Sequence, residues 1–207
     1  MARLAKLGRR RRRLATNPII IIVCEGGKTE PKYFEGIRKA RRLMSTHICV
    51  YGDGPTDPIG LVKYAKSKRQ EARRAGIRID QVWVVHDRDE HLGVTEAHAL
   101  AKQWKIRVAF SNPCFELWYL YHFQDQRANI HRAGLISVLK EHIPRYSKAA
   151  DYSAQIRQHQ DEALRRAQEC RAWHLSCCRP ANENPSTDVD ELVSQLEVVE
   201  NVSTRLK

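Results

Sequence analysis

A run of β-branched residues that stops at an acid and two glycines limits what this chain can fold into. The run Ile19–Val23 ends two residues before Glu25 and the turn 26–29 (GGKT). Continuous apolar character predicts a strand buried on both faces, as in a parallel sheet covered by helices. The glycines allow a tight turn and a close backbone approach by a ligand. Glu25 is therefore predicted at the carboxyl end of a central strand, where open α/β sheets bind ligands.

The same turn resembles the end of a phosphate-binding P-loop, but it matches only part of that motif. A P-loop needs a glycine, four residues, and then Gly-Lys-Ser/Thr. The first glycine would fall at position 22, which is Ile22. Glu25 would also place a negative charge inside the anion cradle, so we exclude a P-loop.

Basic residues dominate the chain and are concentrated at its start. The net charge is +12 over 207 residues, which favours a polyanionic partner, nucleic acid before membrane. Residues 1–16 carry no acid, and charge this dense predicts a disordered arm that either grips phosphates or is only a solvated tail. We expect phosphate contacts from the arm and from Arg88. The arm's arginine run is Arg9, Arg10, Arg11, Arg12 and Arg13.

Strands and helices are predicted to alternate after the first strand, which implies a parallel sheet with right-handed crossovers. Thr29 is expected to cap the first helix, and Asn112 is expected to cap a helix that is apolar nearly all round and therefore buried. The predicted strands are 19–23, 47–51, 81–86 and 106–110, and the predicted helices between and after them are 30–45, 57–75, 94–104 and one starting at Pro113.

The second half of the chain is predicted to be mostly helical. Residues 128–173 indicate two or three polar helices, and Ser186 or Thr187 is expected to cap a last helix whose apolar stripe docks on the sheet. We divide the chain into a basic arm (1–16), an α/β domain (17–127), a helical insertion (128–178) and a C-terminal helix packing back on the α/β domain (179–207).

Acids at the ends of two strands are the candidate chemical site. If the first and third strands are neighbours, Glu25 lies beside Asp87 and Asp89, which point the same way because they are two residues apart. Carboxylates this close need a counter-cation, and oxygen ligands suit Mg²⁺ or Mn²⁺. Glu116 is either a further ligand or a helix-terminal acid. Lys28 is either a catalytic residue, which pairs with a phosphate or stabilises a leaving oxygen, or a solvated turn residue.

The cysteines indicate a reducing cytoplasm, and no apolar run is long enough for a membrane span. Six cysteines show no secretory framework. A zinc site from Cys170, His174, Cys177 and Cys178 is disfavoured because the spacing fits no standard zinc pattern. His86 and His91, which flank the acidic pair, are interpreted as structural or solvated.

Four segments carry a resemblance to a known family: 24–34 (CEGGKTEPKYF), 87–90 (DRDE), 111–118 (SNPCFELW) and 184–187 (NPST). Together they resemble RloB-like proteins, in the Toprim superfamily. The resemblance runs from about Ile19 to the C-terminus and is weakest over the helical insertion. It implies a Toprim-like α/β fold, with a small parallel sheet flanked by helices.

The resemblance also implies a function in prokaryotic phage defence, with metal-dependent phosphotransfer chemistry. By similarity, Glu25 would be the general acid/base or a metal ligand, Asp87 and Asp89 would be metal ligands, and the segment 184–187 would pack near the site. Such proteins are often encoded beside an ATPase, which would be a separate polypeptide here because this chain has no ATPase motif. A homo-oligomer is compatible with the sequence.

Three functions stay open at this point. The first is a Mg²⁺- or Mn²⁺-dependent nuclease that acts on RNA or DNA, which the acids and the basic surface favour. The second is a nucleic-acid-binding or sensing subunit without turnover of its own. The third is a primase-like nucleotidyl transferase, because the same acids serve polymerisation.

Overall fold

The computed structural model describes residues 18–41, 43, 48–88 and 93–205, the last five of these by their backbone only. Within these residues five strands form one sheet: β1 (Ile20–Cys24), β2 (Ile48–Tyr51), β3 (Gln81–Asp87), β4 (Arg107–Asn112) and β5 (Ser186–Thr187). The basic arm, with Arg9 to Arg13, lies outside the described residues, and so do Asp89 and His91.

The strand order is β2-β1-β3-β4-β5. The first four strands are parallel, and β5 is antiparallel to β4. The first and third strands are neighbours, with Cys24 opposite Val85, which meets the condition for bringing the two strand-end acids together. The fold is an α/β fold with a mostly parallel sheet flanked by helices, as predicted.

Alternate residues of the central strands enter two hydrophobic layers. On β1, Ile20 and Ile22 pack on one face of the sheet, and Ile21 and Val23 pack on the other. Because successive side chains of a strand point to opposite faces, a strand covered on both sides needs an unbroken apolar sequence. All five residues of β1 are buried, as the isoleucine run predicts.

The helices cover both faces of this sheet. Helix α2 and helix α3 lie over one face, and α1, α4 and α8 supply most of the other layer. The helices are α1 (Thr29–Ala40), α2 (Pro58–Arg74), α3 (Val94–Gln103), α4 (Glu116–Tyr121), α5 (Arg132–His142), α6 (Ser153–Ile156), α7 (Gln160–Ser176) and α8 (Val189–Arg205), with one 3-10 turn at Arg157–His159.

Two predicted helix caps are wrong, and the third is met in part by Thr187. Thr29 lies inside α1, where its hydroxyl donates to the carbonyl of Lys148 at 3.4 Å instead of capping. Asn112 is the last residue of β4, and α4 begins only at Glu116. Ser186 and Thr187 form β5 along β4, and the Thr187 hydroxyl also accepts from the Val189 amide at 3.3 Å, at the start of α8.

The predicted burial of helix α4 and of the apolar stripe of helix α8 is confirmed. Every residue of α4 is buried. The stripe of α8 (Val189, Leu192, Val193, Leu196 and Val199) is 0–1% exposed. This helix packs on β4 and α7, so it joins the main core.

The predicted polar helical region contains α5, α6 and α7, and Tyr146 and Tyr152 lie between the first two of these. Buried Leu135, Leu139, Ala163 and Ala167 join the core that contains α4. The domain limits at 127/128 and 178/179 stay predictions. In the part of the chain that the structure describes, no helix has the length and apolar character needed to cross a membrane.

Candidate functional site

Two predicted acids meet at the carboxyl edge of the sheet. Glu25 directly follows β1, and Asp87 ends the neighbouring strand β3. The Glu25 amide donates to the Val85 carbonyl at 3.0 Å, which continues the strand pairing by one residue. The Asp87 amide then donates to Glu25 Oε2 at 3.2 Å, so the Glu25 side chain lies across the end of β3.

A cleft of about 360 Å³ opens at this edge. It brings together two residues from the edge of the sheet, the turn and first residues of α1, and three side chains from the second half of the chain. Its charged lining consists of four acids and three bases: Glu25, Glu30, Asp87, Glu116, Lys28, Arg132 and Lys148. Thr56, just before α2, also lines it.

Asp87 is paired with a residue of the helical region. Arg132 begins α5, and its Nη2 donates to Asp87 Oδ2 at 2.7 Å. The Asp87 side chain is 9% exposed and that of Arg132 is 36% exposed. A buried carboxylate needs such a partner, because burying an unpaired charge costs several kcal/mol.

Glu116 is buried among hydrogen-bond donors. Tyr146 donates its hydroxyl proton to Glu116 Oε1 at 2.8 Å, and Lys148 Nζ lies 3.6 Å from the same oxygen. Burial opposes ionisation of Glu116, but Lys148 and the hydrogen bonds from Cys114 and Tyr146 outweigh it, so the pKa of Glu116 lies below its ordinary value. These contacts favour the ionised carboxylate of Glu116, which lines the cleft, and its role as a ligand stays a prediction.

Glu30 is the fourth acid of the cleft, and its pKa is shifted in the direction opposite to that of Glu116. Burial raises the pKa of Glu30 above its ordinary value, and the nearby carboxylates of Glu116 and Glu25 add to the increase. A Cβ atom at Gly26 would lie 2.8 Å from Glu30 Oε2. The first glycine of the turn therefore leaves room for this carboxyl group.

The segment 184–187 lies at the same edge of the sheet. Asp87 is opposite Ser111 of β4, and Ser111 is opposite Thr187 of β5. The hydroxyls of Ser111 and Thr187 are 2.9 Å apart. This places 184–187 two strands from Asp87.

The structure thus brings together four of the predicted site residues: Glu25, Lys28, Asp87 and Glu116. Arg88 is exposed and its amide donates to the Ser111 carbonyl, and it does not line the cleft. His86 points away, into a pair with His98 whose Nε2 atoms are 3.0 Å apart. Cys170 and His174 are buried and both approach the Pro185 carbonyl, whereas Cys177 and Cys178 are exposed.

The family follows from the sequence as a whole. Residues 20–196 match the family described as RloB-like protein. This chain belongs to the RloB-like family. A comparison with curated proteins and a comparison with solved structures each found no match.

Three charged residues that line the RloB-like cleft were missed in the sequence, Glu30, Arg132 and Lys148, and so was Tyr146, which donates to Glu116. Glu30 had a usable signal, because it follows Glu25 within the same motif and starts a helix at the site. The other three come from the polar region after residue 128, where no periodic pattern marks a site residue. Their positions depend on how α5 and the segment after it pack against α1 and α4.

The metal prediction stays a prediction. Glu25 and Asp87 offer the carboxylate oxygens that Mg²⁺ and Mn²⁺ prefer. Among residues 18–41, 43, 48–88 and 93–205, however, no three His, Cys, Asp or Glu side chains are placed to hold one ion. Arg132 and Lys148 lie against Asp87 and Glu116, so the basic side chains neutralise acids that a metal would otherwise use.

Proposed function

We propose that this RloB-like protein is a metal-dependent nuclease that cleaves phosphodiester bonds of RNA or DNA. The observation that carries the proposal is the placement of Glu25 against Asp87, whose amide donates to the Glu25 carboxylate. Acids from two adjacent parallel strands, in a cleft that also holds three cationic side chains, suit a reaction at a phosphate group.

Glu25 and Asp87 would hold the divalent ion, with Asp89 as the predicted third ligand outside the described residues. The donor set fits Mg²⁺ or Mn²⁺, since all three side chains offer carboxylate oxygens. When bound, such an ion would stabilise charge on the phosphodiester and lower the pKa of a water molecule.

The cations of the cleft would bind and orient the phosphate. Arg132 presents a planar guanidinium that matches two phosphate oxygens, and Lys148 offers a compact positive charge. Lys28 is exposed at the mouth of the cleft. Holding a phosphate by several donors reduces its motion at the reacting position, which is a large part of phosphoryl-transfer catalysis.

We place this activity in prokaryotic anti-phage defence, with a Toprim-type catalytic domain and a separate ATPase. Family membership supports the setting. The arm with Arg9 to Arg13, together with Arg88, would add sequence-independent contacts to the nucleic-acid backbone. The cytoplasm, where the nucleic acid and the ATPase would be met, is the expected location.

A nucleic-acid-binding subunit without turnover is the second candidate. The ion pairs Arg132–Asp87 and Lys148–Glu116 favour it, because they neutralise the acids without a metal. In that case the cleft would bind a phosphate by its cations only, and catalysis would reside in a partner.

Cleavage assays with matched acid variants distinguish the two candidates. Labelled tRNA, single-stranded and duplex DNA are incubated with purified protein and MnCl₂ or MgCl₂, beside Glu25→Gln and Asp87→Asn. The control is Asp53→Asn, which makes the same charge change in an exposed loop residue that is bonded to Tyr64.

The nuclease proposal predicts shortened products that form only with the metal. The rate of cleavage should fall at least a hundredfold in both cleft variants but not in the control. Cleavage that survives both cleft substitutions would refute it. Tight, metal-independent binding with no products from any substrate would favour the second candidate.

A further inference from the structure

Helix α2 connects the candidate cleft with the opposite edge of the sheet. Its N-terminal side is at the cleft, since Thr56 lines the cleft and Asp57 caps the helix by accepting from the Gly60 amide at 2.6 Å. The helix continues to Arg74, which is about 25 Å for 17 residues at 1.5 Å each. It contains six basic residues and one acid, Glu71.

The basic residues of α2 do not surround it evenly. Lys63, Lys66, Gln70 and Arg73 follow one another at intervals of three or four residues, which places them on one stripe along the helix. The single acid, Glu71, is paired with Lys68, at 3.1 Å. The stripe therefore carries positive charge from near the cleft to the end of the helix.

A groove lined by arginines lies at the far end of this stripe. Its volume is about 510 Å³. The residues lining it, all within the described part of the chain, include no carboxylate: Arg69, Gln70, Arg73, Gly76, Ile77, Arg78 and Ile79. Two acids adjoin these residues in sequence. Glu71 is paired with Lys68, and Asp80 lies 3.5 Å from Arg78 Nε and also accepts from the Ile19 amide.

Two of the cations along this surface are held in place. Lys66 Nζ lies 3.6 Å from the centre of the Trp104 ring, and Arg69 donates to the Trp104 carbonyl at 2.9 Å. Aromatic and backbone partners fix these side chains without neutralising their charge, so the surface keeps its positive potential.

We propose that the α2 stripe and its arginine groove bind the phosphate backbone of a nucleic acid that extends away from the cleft. The proposal rests on the proposed function, because it concerns the same substrate. A strand with one phosphate per about 3.4 Å of duplex axis places about seven phosphates along a helix of this length. Cations spread along this length, Lys63, Lys66, Arg69 and Arg73, match an extended polyanion better than they match a single small anion.

Salt-dependent binding of a nucleic acid tests this surface separately from catalysis. A fluorescein-labelled 20-nucleotide DNA, single-stranded or duplex, and the same RNA are titrated with full-length protein in EDTA. Fluorescence anisotropy measures binding at 50–300 mM KCl.

The groove variant is Arg73→Ala/Arg78→Ala. The matched control is Lys39→Ala/Lys140→Ala, which removes two exposed positive charges from α1 and α5. Arg73→Lys/Arg78→Lys tests charge alone, and circular dichroism checks the fold of each protein.

The groove variant should bind about tenfold more weakly at 150 mM KCl, and its plot of log K against log[salt] should be shallower by about 1.4 to 1.8. The control should match the wild type, and the lysine variant should keep most of the slope. Wild-type binding and slope in the groove variant would overturn the proposal, whether or not the protein cleaves. If the groove variant loses binding to vesicles that contain phosphatidylserine while its nucleic-acid binding is unchanged, the proposal is overturned in favour of a membrane surface. If the slope changes but the wild type cleaves none of the tested nucleic acids with Mn²⁺ or Mg²⁺, the groove stands and the nuclease proposal fails.

Discussion

Arg132 Nη2 lies 2.7 Å from Asp87 Oδ2, so the first residue of α5 neutralises the acid that ends β3. These residues are 45 positions apart in the chain, and only the packing of α5 near the edge of the sheet joins them. The pair connects the helical region to the candidate site. It also places a cation where a divalent ion would otherwise approach the Asp87 carboxylate.

Removing this cation should strengthen metal binding. In Arg132→Ala, Mn²⁺ should bind Asp87 more tightly, on the order of tenfold, because a positive charge beside a ligand oxygen repels the ion. Calorimetric titration with MnCl₂ measures the effect. Arg127→Ala is the control, since Arg127 pairs with Glu169 at 3.6 Å outside the cleft lining. Unchanged or weaker Mn²⁺ binding in Arg132→Ala would show that the pair does not compete with a metal.

The hydrogen bond from Tyr146 to Glu116 should contribute measurably to stability. Tyr146→Phe leaves a buried carboxylate with one donor fewer, and we expect a loss of about 1.5–3 kcal/mol in the free energy of unfolding. Tyr121→Phe removes a bond to the uncharged Gln126 carbonyl at 3.3 Å and should cost about 0.5–1.5 kcal/mol. Urea unfolding of both variants makes the comparison. A smaller loss for Tyr146→Phe than for Tyr121→Phe would mean that Glu116 is not held as a charged group.

Much of the fold could be predicted from the sequence because the relevant signals are local. The isoleucine run of β1 and the apolar stripe of α8 each identify the element and its buried face. Turn chemistry was harder, since Asn112 can either cap a helix or extend a strand, and its pairing with Ser186 decides for the strand. The two-residue strand β5 is too short to produce a pattern, so only its partner β4 defines it.

The candidate site also contains some residues that could be predicted from the sequence and others that could not. Glu25 and Asp87 could be predicted because strand ends converge at one edge of a parallel sheet. Arg132 and Lys148 could not, because a basic residue in a polar helical region has the same sequence environment whether it faces solvent or an acid. Their role depends on contacts across more than 30 residues of chain.

The C-terminal helix should be essential for stability through its buried stripe. Leu196 is 0% exposed, and Leu196→Ala should lower the free energy of unfolding by about 2–5 kcal/mol. Val198 is 52% exposed, so Val198→Ala should change it by less than about 0.5 kcal/mol. Denaturant unfolding of the two variants gives the difference. Equal effects would contradict the docking of α8 on β4 and α7.

Asp188 should make stability fall as the pH rises. Burial raises the pKa of Asp188 to about 6, against about 3.9 in an unfolded chain. Between these values the folded state binds more protons than the unfolded state, so deprotonation at higher pH destabilises the fold. The free energy of unfolding of Asp188→Asn, relative to that of the wild type, should therefore rise by about 1–2 kcal/mol when the pH is raised from 4.5 to 7.5. This figure is reduced because the side chain is partly exposed. Urea unfolding at both pH values tests this, and a difference that stays constant with pH would contradict it.

Anomalous diffraction at the manganese edge, from crystals soaked in MnCl₂, tests whether Glu25 and Asp87 hold a divalent ion. We predict one strong peak in direct contact with carboxylate oxygens of Glu25 and Asp87, and its loss in crystals of Asp87→Asn. Crystals that take up manganese elsewhere, with no peak between these two side chains, would contradict a metal-dependent site at this edge of the sheet.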